Sequence, residues 1–535
     1  MNFYFFIKKW RWIFSICCIS LFVLMENPSI YTKFQHTNFQ LFSISKSSTL
    51  ILAEIILFLC ILFSARSFVW FKFLICACLT LSTIIFDTYF YASAKVIEFQ
   101  EFLLLYQSKA NLFDALLMYK IQILKAFPRV LILWIGVYLM PPPPRYIDKI
   151  NFFSCCVSAL FFLSLTILVL ATCVYRQGAA TNKLPAPISL YGLLLAYCYD
   201  GYKNPHQYKY IQKDIEPTYR SEYQNIILII DESVRWDYSP FLRIKDYKKW
   251  FVYDYGRATS YANSSVVSNI LLRKGARFES LSSDFYENPL IWDYAKKAGY
   301  QTYLYDNQGG GVGHDYFDKE EMKLVDHNIS TSVYKDSEIW KSLKYLNENQ
   351  KTFTLIVKKG SHFPYRDFPE EQNISFEMTS YQKATEMRVK YLKSIIFQSD
   401  DFWRDFFNLN ITKSTLIIYT SDHGQNLGDI KGLTHGTSGK NPYFGEGLVP
   451  MVLLSNITDK RIEEYFKKNI NNTSHFNIFP TLIESMGYDV KNLGYLQKNT
   501  SLKDHDVPIS GFFYGIPFGY FGKKADFYIL NKGSR

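Results

Sequence analysis

Asn225-Ile226-Ile227-Leu228-Ile229-Ile230-Asp231, continued by Glu232-Ser233, is an unbroken apolar run that stops on two carboxylates. A strand buried on both faces reads this way, because side chains of either parity meet a covering layer. Runs of the same kind recur at Thr302–Asp306, Thr352–Val357, Thr415–Thr420 and Leu448–Leu454. Between them lie stretches of helical apolar spacing such as Ser337–Leu346 and Thr379–Phe397. This alternation predicts an α/β domain over residues 220–535, with ligands bound beyond the carboxyl ends of its strands. The whole chain has 535 residues, 48% apolar and 18% aromatic, which excludes a disordered tail or a disulfide-stapled miniprotein.

The carboxyl ends are where reactive residue types collect. The first run delivers Asp231-Glu232-Ser233, the second Asp306-Asn307, the third leads into Gly360-Ser361-His362, and the fourth delivers Ser421-Asp422-His423-Gly424. Asp422 and His423, adjacent and followed by a glycine, can turn two side chains toward one ion. Glu232 from a second strand would complete an O, O, N donor set, the kind that holds a catalytic Zn²⁺ with a fourth position open. Taken alone, Asp422-His423 reads equally well as a solvated turn.

The string Tyr419-Thr420-Ser421-Asp422-His423-Gly424-Gln425-Asn426-Leu427-Gly428, followed by Thr434-His435-Gly436, resembles the alkaline phosphatase/sulfatase superfamily. Within it the chain is similar to the membrane-anchored phosphoethanolamine transferases that modify bacterial lipopolysaccharide. Ile230-Asp231-Glu232-Ser233-Val234-Arg235 resembles that family's glutamate-ligand motif, Gly360-Ser361-His362-Phe363-Pro364-Tyr365 its substrate-histidine motif, and Ser474–Leu482 its late helix. The resemblance implies an alkaline phosphatase/sulfatase-like fold for 220–535 and a catalytic zinc, one ion or two, held by Glu232, Asp422 and His423. It places Ser265 at the nucleophilic threonine of the family, where it is also a metal ligand. His362 and His435 fall at positions that contact the substrate phosphate or a second zinc. Neighbouring Ser264 and Ser268 compete for the nucleophile's place, and a serine cluster capping a helix would use the same residue types. The sequence departs from the family at Val357, where a second histidine is usual, and in the Asp306–Gly311 loop, which lacks a lysine. His314 is a further candidate, while His36, His206, His327, His475 and His505 read as surface or satisfied structural residues.

Upstream the texture changes. The formal net charge of +11 divides into +9 before residue 204 and +2 after it, and all nine cysteines lie in the earlier part. A nearly neutral back half offers no basic face for nucleic acid, and thiols inside apolar runs behave as small hydrophobes. Trp12–Met25, Leu50–Ser64, Phe68–Tyr91, Val130–Met140 with the apolar residues before it, and Phe152–Tyr175 predict five membrane spans. Residues 1–176 are thus expected as a helical transmembrane domain with an interfacial loop at 93–128, and 177–219 as a connector. Basic residues around Lys8–Arg11, Arg66–Lys72 and Arg145–Lys149 put one side in the cytoplasm. An odd number of spans then exports the α/β domain, into the periplasm for a bacterial inner-membrane protein.

The family resemblance implies the expected reaction: transfer of phosphoethanolamine from phosphatidylethanolamine, through a phosphoserine-type intermediate, to lipopolysaccharide or another glycolipid. Glycerol phosphate transfer from phosphatidylglycerol, or another phosphodiester transfer or hydrolysis of the same superfamily, is the alternative. A formylglycine sulfatase is disfavoured because Val267 stands where its motif requires proline.

Overall fold

A computed structural model describes residues 3–25, 41–65, 69–93, 96–97, 99–107, 116–117, 119–141, 160, 163–168, 171 and 184–203 of the front part. In the back part it describes 215–308, 317, 319–330, 335–363, 365, 385–430, 433–437, 442–493, 501–504, 510–514 and 526–530. The chain divides into two compact units, Met1–Tyr106 with Asn111–Pro205, and Gln107–Ala110 with His206–Arg535.

Six helices make up the described part of the first unit: α1 (Phe3–Leu24), α2 (Leu41–Ala65), α3 (Val69–Ser93), α4 (Phe99–Gln107), α5 (Lys120–Leu139) and α6 (Ala186–Lys203). Four of the five expected spans fall on α1, α2, α3 and α5. Among the described residues, Trp70–Ala92 and Lys120–Leu139 are long and apolar enough to cross a membrane, and α1 and α2 contribute the shorter apolar segments Trp10–Leu24 and Ile51–Leu62. Phe152–Tyr175 lies largely outside the described residues. The expected loop at 93–128 is shorter than its sequence suggests, because α5 begins at Lys120 and carries Pro128 within it. Arg129, which interrupts the apolar run, is paired inside the unit: its Nη1 donates to both Asp87 oxygens at 2.6 and 2.7 Å. A charged side chain this deeply buried is held by such a partner. The expected connector also holds more structure than its composition suggests, since α6 belongs to the first unit.

In the second unit the apolar runs become strands: β1 (Asn225–Asp231), β2 (Phe251–Thr259), β3 (Gln301–Asp306), β4 (His327–Ser330), β5 (Thr352–Val357), β6 (Thr415–Ser421), β7 (Leu448–Ser455) and β8 (Thr473–Ser474). They form one sheet in the order β4-β3-β5-β1-β6-β7-β2-β8. The five expected strands sit together at its centre, with β1 parallel to both β5 and β6. β7 runs antiparallel to β6, unlike the parallel pairs that β1 makes on either side. Ile226 through Ile230 are at most 1% exposed, and each such side chain contributes roughly 1.5–3 kcal/mol by burial. β2 was not legible as a strand because its burial is partial and its pairing with β7 shifts register between Asp254 and Arg257. A second, two-stranded sheet pairs β9 (Gly511–Tyr514) with β10 (Asp526–Ile529).

Helices cover the sheet, among them α7 (Ser265–Lys274), α8 (Glu386–Ile395), α9 (Lys460–Asn469) and α10 (Ile478–Met486). The apolar spacing at Ser337–Leu346 produces two short 3-10 turns, Asp336–Ser342 and Lys344–Asn347, in place of one α-helix. The Thr379–Phe397 pattern yields α8, capped by the Thr385 side chain; residues 379–384 lie outside the described set.

Candidate metal centre

Parallel pairing brings the chemistry together. In the β1/β6 register Asp231 stands opposite Ser421, so the next residues, Glu232 and Asp422, leave the sheet side by side. Ser233 then adopts a left-handed backbone (φ 61°) that turns the chain over Asp422, a conformation costly for a residue with a Cβ and held here by specific bonds. Its N–H donates to Asp422 Oδ1 at 2.8 Å, and its carbonyl accepts from the Tyr391 hydroxyl at 2.7 Å.

These bonds consume one side of the Asp422 carboxylate. Oδ1 also accepts from the His423 N–H at 2.7 Å, whereas the buried Oδ2 accepts no hydrogen bond among the described residues. An orphaned carboxylate oxygen in a buried site is expensive unless a cation meets it. Oδ2 lies 3.4 Å from His423 Nε2, and Glu232 Oε1 lies 3.7 Å from the same nitrogen. Two donors each about 2.0 Å from one tetrahedral zinc lie about 3.3 Å apart, so the three groups suit a single ion. Their candidate ligand atoms all fall within 4.8 Å of one another, and all three residues are buried. His423 Nδ1 sits 2.7 Å from the Gly424 carbonyl. A carbonyl can only accept, so that nitrogen carries the proton and Nε2 keeps its lone pair for a metal.

Ser265, the first residue of α7, places its Oγ 3.1 Å from His423 Nε2 and 3.4 Å from Glu232 Oε1. The competing serines behave differently. Ser268 Oγ is bonded to the Ala262 N–H and carbonyl, both at 3.1 Å. Ser264 occupies the N-cap in extended conformation but makes no side-chain cap bond. His435 stacks on His423 with ring centroids 4.2 Å apart. Its pKa is held well below the ordinary imidazole value, first by burial and then by His423 and His362 nearby. His362 is half-buried at the end of the Gly360-Ser361 turn. His475, expected as a satisfied structural residue, is fully buried, with Nδ1 accepting from the Tyr261 N–H at 3.1 Å and Nε2 2.9 Å from Thr420 Oγ1. His327 is exposed; His36, His206, His314 and His505 lie outside the described residues.

Two glycines are required by close approach. A Cβ on Gly360 (φ +54°) would lie 2.5 Å from Asp231 Oδ1 and 2.6 Å from the Glu232 nitrogen, and one on Gly424 would lie 2.1 Å from the Gly445 carbonyl.

Residues that sequence reasoning missed hold the donors in place. Gln308 Nε2 donates to Glu232 Oε2 at 2.9 Å and to the Lys358 carbonyl at 3.1 Å. It sits in the loop singled out for lacking a lysine, so the loop was visible and the contact was not. Beneath it, Lys358 Nζ donates to Asp231 Oδ2 at 2.6 Å, an oxygen that also accepts from Ser399 Oγ at 2.6 Å and the Tyr419 hydroxyl at 2.9 Å. This ion pair is completely buried, and Val357 packs beside it as a core residue with no exposure.

Comparison with known proteins follows the same outline. The model of the sulfatase family matches residues 224–488. Among solved structures, the chain is similar to the integral membrane lipooligosaccharide phosphoethanolamine transferase A from Neisseria meningitidis, at 16% identity and a TM-score of 0.59, covering 89% of this chain and 97% of that one. It is also similar to the C-terminal periplasmic domain of EcEptC from Escherichia coli in complex with Zn, at 16% identity and a TM-score of 0.42, covering 57% and 92%. The periplasmic domain of phosphoethanolamine transferase EptC from Campylobacter jejuni matches at 17% identity and a TM-score of 0.37, covering 50% and 89%. No curated protein sequence matches the chain.

Proposed function

We propose, on the match of the sulfatase-family model to residues 224–488, that the protein is a zinc-dependent phosphoethanolamine transferase of the bacterial inner membrane, with five spans and its catalytic domain in the periplasm. Its donor is phosphatidylethanolamine and its acceptor an oxygen on lipopolysaccharide, in lipid A or the core sugars. The observation that carries this reading is the position of Ser265 Oγ, 3.1 Å from His423 Nε2 and 3.4 Å from Glu232 Oε1 at the start of a ten-residue helix.

Glu232, Asp422 and His423 are the residues that would hold zinc, with Ser265 beside them. Zinc bound there supplies a Lewis acid that lowers the pKa of an adjacent hydroxyl and screens phosphate charge. Ser265 Oγ attacks phosphorus, making a serine–phosphorus ester and breaking the bond to the diacylglycerol oxygen. The serine proton passes to His362 or His435 and from there to the departing diacylglycerol. The free amides at the start of α7 favour the anionic ester. An acceptor hydroxyl or phosphate oxygen then displaces Ser265 Oγ, with the same histidine as base.

Mass spectrometry of the zinc-loaded protein after incubation with phosphatidylethanolamine vesicles tests this. Wild type should gain one phosphoethanolamine unit on Ser265, and Ser265→Ala none. An adduct persisting on Ser264 would overturn the nucleophile, and an adduct formed only from phosphatidylglycerol vesicles would replace the donor by the glycerol phosphate alternative.

A further inference from the structure

A large cleft in the second unit is remote from the metal centre. It encloses about 1010 Å³ and is lined by the segment before β1 (Thr218–Tyr223), the start of α9, and the end of α10 with the residues after it. These segments lie at the amino-terminal edge of the sheet. Glu232 and Asp422 leave the opposite edge, about 20 Å away along a seven-residue strand at roughly 3.3 Å per residue.

Its lining has an unusual balance. Five basic and five acidic side chains face a space whose sole aliphatic residue is Val490. The parity gives no net field for a polyanion, and the apolar part of the lining is carried by tyrosine rings and one valine rather than by the aliphatic side chains that hold an acyl chain. Several of the charges are spent on each other: Lys503 Nζ is 2.8 Å from Asp459 Oδ2, and Arg461 pairs with Glu484. Two buried acceptors or donors are left over. Glu484 Oε2 and Ser485 Oγ, in residues 6% and 3% exposed, make no hydrogen bond among the described residues. Buried polar atoms without partners call for a bound hydroxyl or water.

Tyr219 supplies the complementary surface. Its hydroxyl donates to the Glu484 carbonyl at 2.8 Å, which fixes the ring, while half of the residue stays exposed. A rigid aromatic face beside orphaned hydrogen-bonding atoms suits a ligand with apolar C–H faces and many hydroxyls. The volume lies at the upper end of the range for compact ligands, which favours several sugar rings over one.

We propose that this cleft is a non-catalytic binding site for a neutral oligosaccharide, stacked on Tyr219 and hydrogen-bonded to Glu484 and Ser485. The site does not depend on the transfer reaction, and its test contains no donor lipid. Calorimetric titration of the full-length protein in nanodiscs with maltotriose, cellotriose, mannotriose and chitotriose should give saturable binding of at least one. Tyr219→Ala should weaken that binding about tenfold or more and Ser485→Ala about threefold, with zinc content unchanged in both. Ser485→Ala removes only an unbonded hydroxyl, so it decides the matter if Tyr219→Ala does not fold. Failure of all four sugars to bind, binding undiminished in Ser485→Ala, or displacement of the sugar by inorganic phosphate would each overturn the proposal.

Discussion

The two edges of the eight-stranded sheet carry their polar residues in different ways. At the carboxyl edge, Glu232, Asp422 and His423 are at most 1% exposed, and Asp422 Oδ1, Glu232 Oε2 and His423 Nδ1 each have a hydrogen-bonding neighbour. At the amino edge, Arg461 and Lys503 meet Glu484 and Asp459 in a cleft where the Arg461 side chain is 49% exposed. The bonds at the carboxyl edge set where the three donors point, while the buried Asp422 Oδ2, with no hydrogen bond among the described residues, is left for a cation. Arg461, about half in water, pairs cheaply and can change partners. The contrast teaches that the sheet offers one edge suited to bond-making and another suited to adaptable binding.

Four measurements would break or sharpen this contrast. Ser265→Ala should have the largest effect, lowering turnover on the order of 10⁴-fold or more as expected for a lost nucleophile, with zinc content retained; near-normal turnover would remove the carboxyl edge from the chemistry. Lys358→Met leaves the buried Asp231 carboxylate without its cation, and should cost about 3–5 kcal/mol of stability, read from the denaturant midpoint. Gln308→Ala, which frees Glu232 Oε2, should weaken zinc affinity about 10- to 100-fold, measured by competition with a chelator.

The smallest effect belongs to the amino edge. Burial raises the Asp459 carboxyl, but Lys503 and the bonds from the α9 amides outweigh it and leave the pKa below the ordinary value. A carboxyl depressed in the folded state adds stability above its unfolded pKa of about 3.9 and loses it as pH falls through the lower folded value. The gap in thermal midpoint between wild type and Asp459→Asn should therefore be present at pH 6 and close as pH falls below about 4. A gap that widened on acidification would reverse the assignment.

Much of the second unit was legible because its central strands are buried on both faces. β1, β3, β5, β6 and β7 appear in sequence as apolar runs, and the strand ends announced Glu232, Asp422 and His423. The antiparallel direction of β7 was not legible, since a run buried on both faces looks the same in either direction. β2 was hidden by partial burial and by the polar residues Asp254 and Arg257 at its bulge. Gln308 and the Asp231–Lys358 pair stayed invisible for another reason: they are defined by contacts between residues 50 to 127 positions apart. In the first unit Arg129 read as an interruption, and only its partner Asp87, one helix away, reveals it as an internal bond.

Gly360 carries one more consequence. With no side chain it lets the turn that leads to His362 lie directly on Glu232, where the Ser361 N–H donates to the Glu232 carbonyl at 3.0 Å and the Gly360 N–H to Asp336 at 2.9 Å. A displacement of one turn is thereby transmitted to the other. Thermodynamic reciprocity then requires that whatever occupancy at His362 does to cation affinity, the cation does equally to occupancy at His362. In the proposed reaction, this one backbone hydrogen bond would tie loading of the metal to capture of the phosphate.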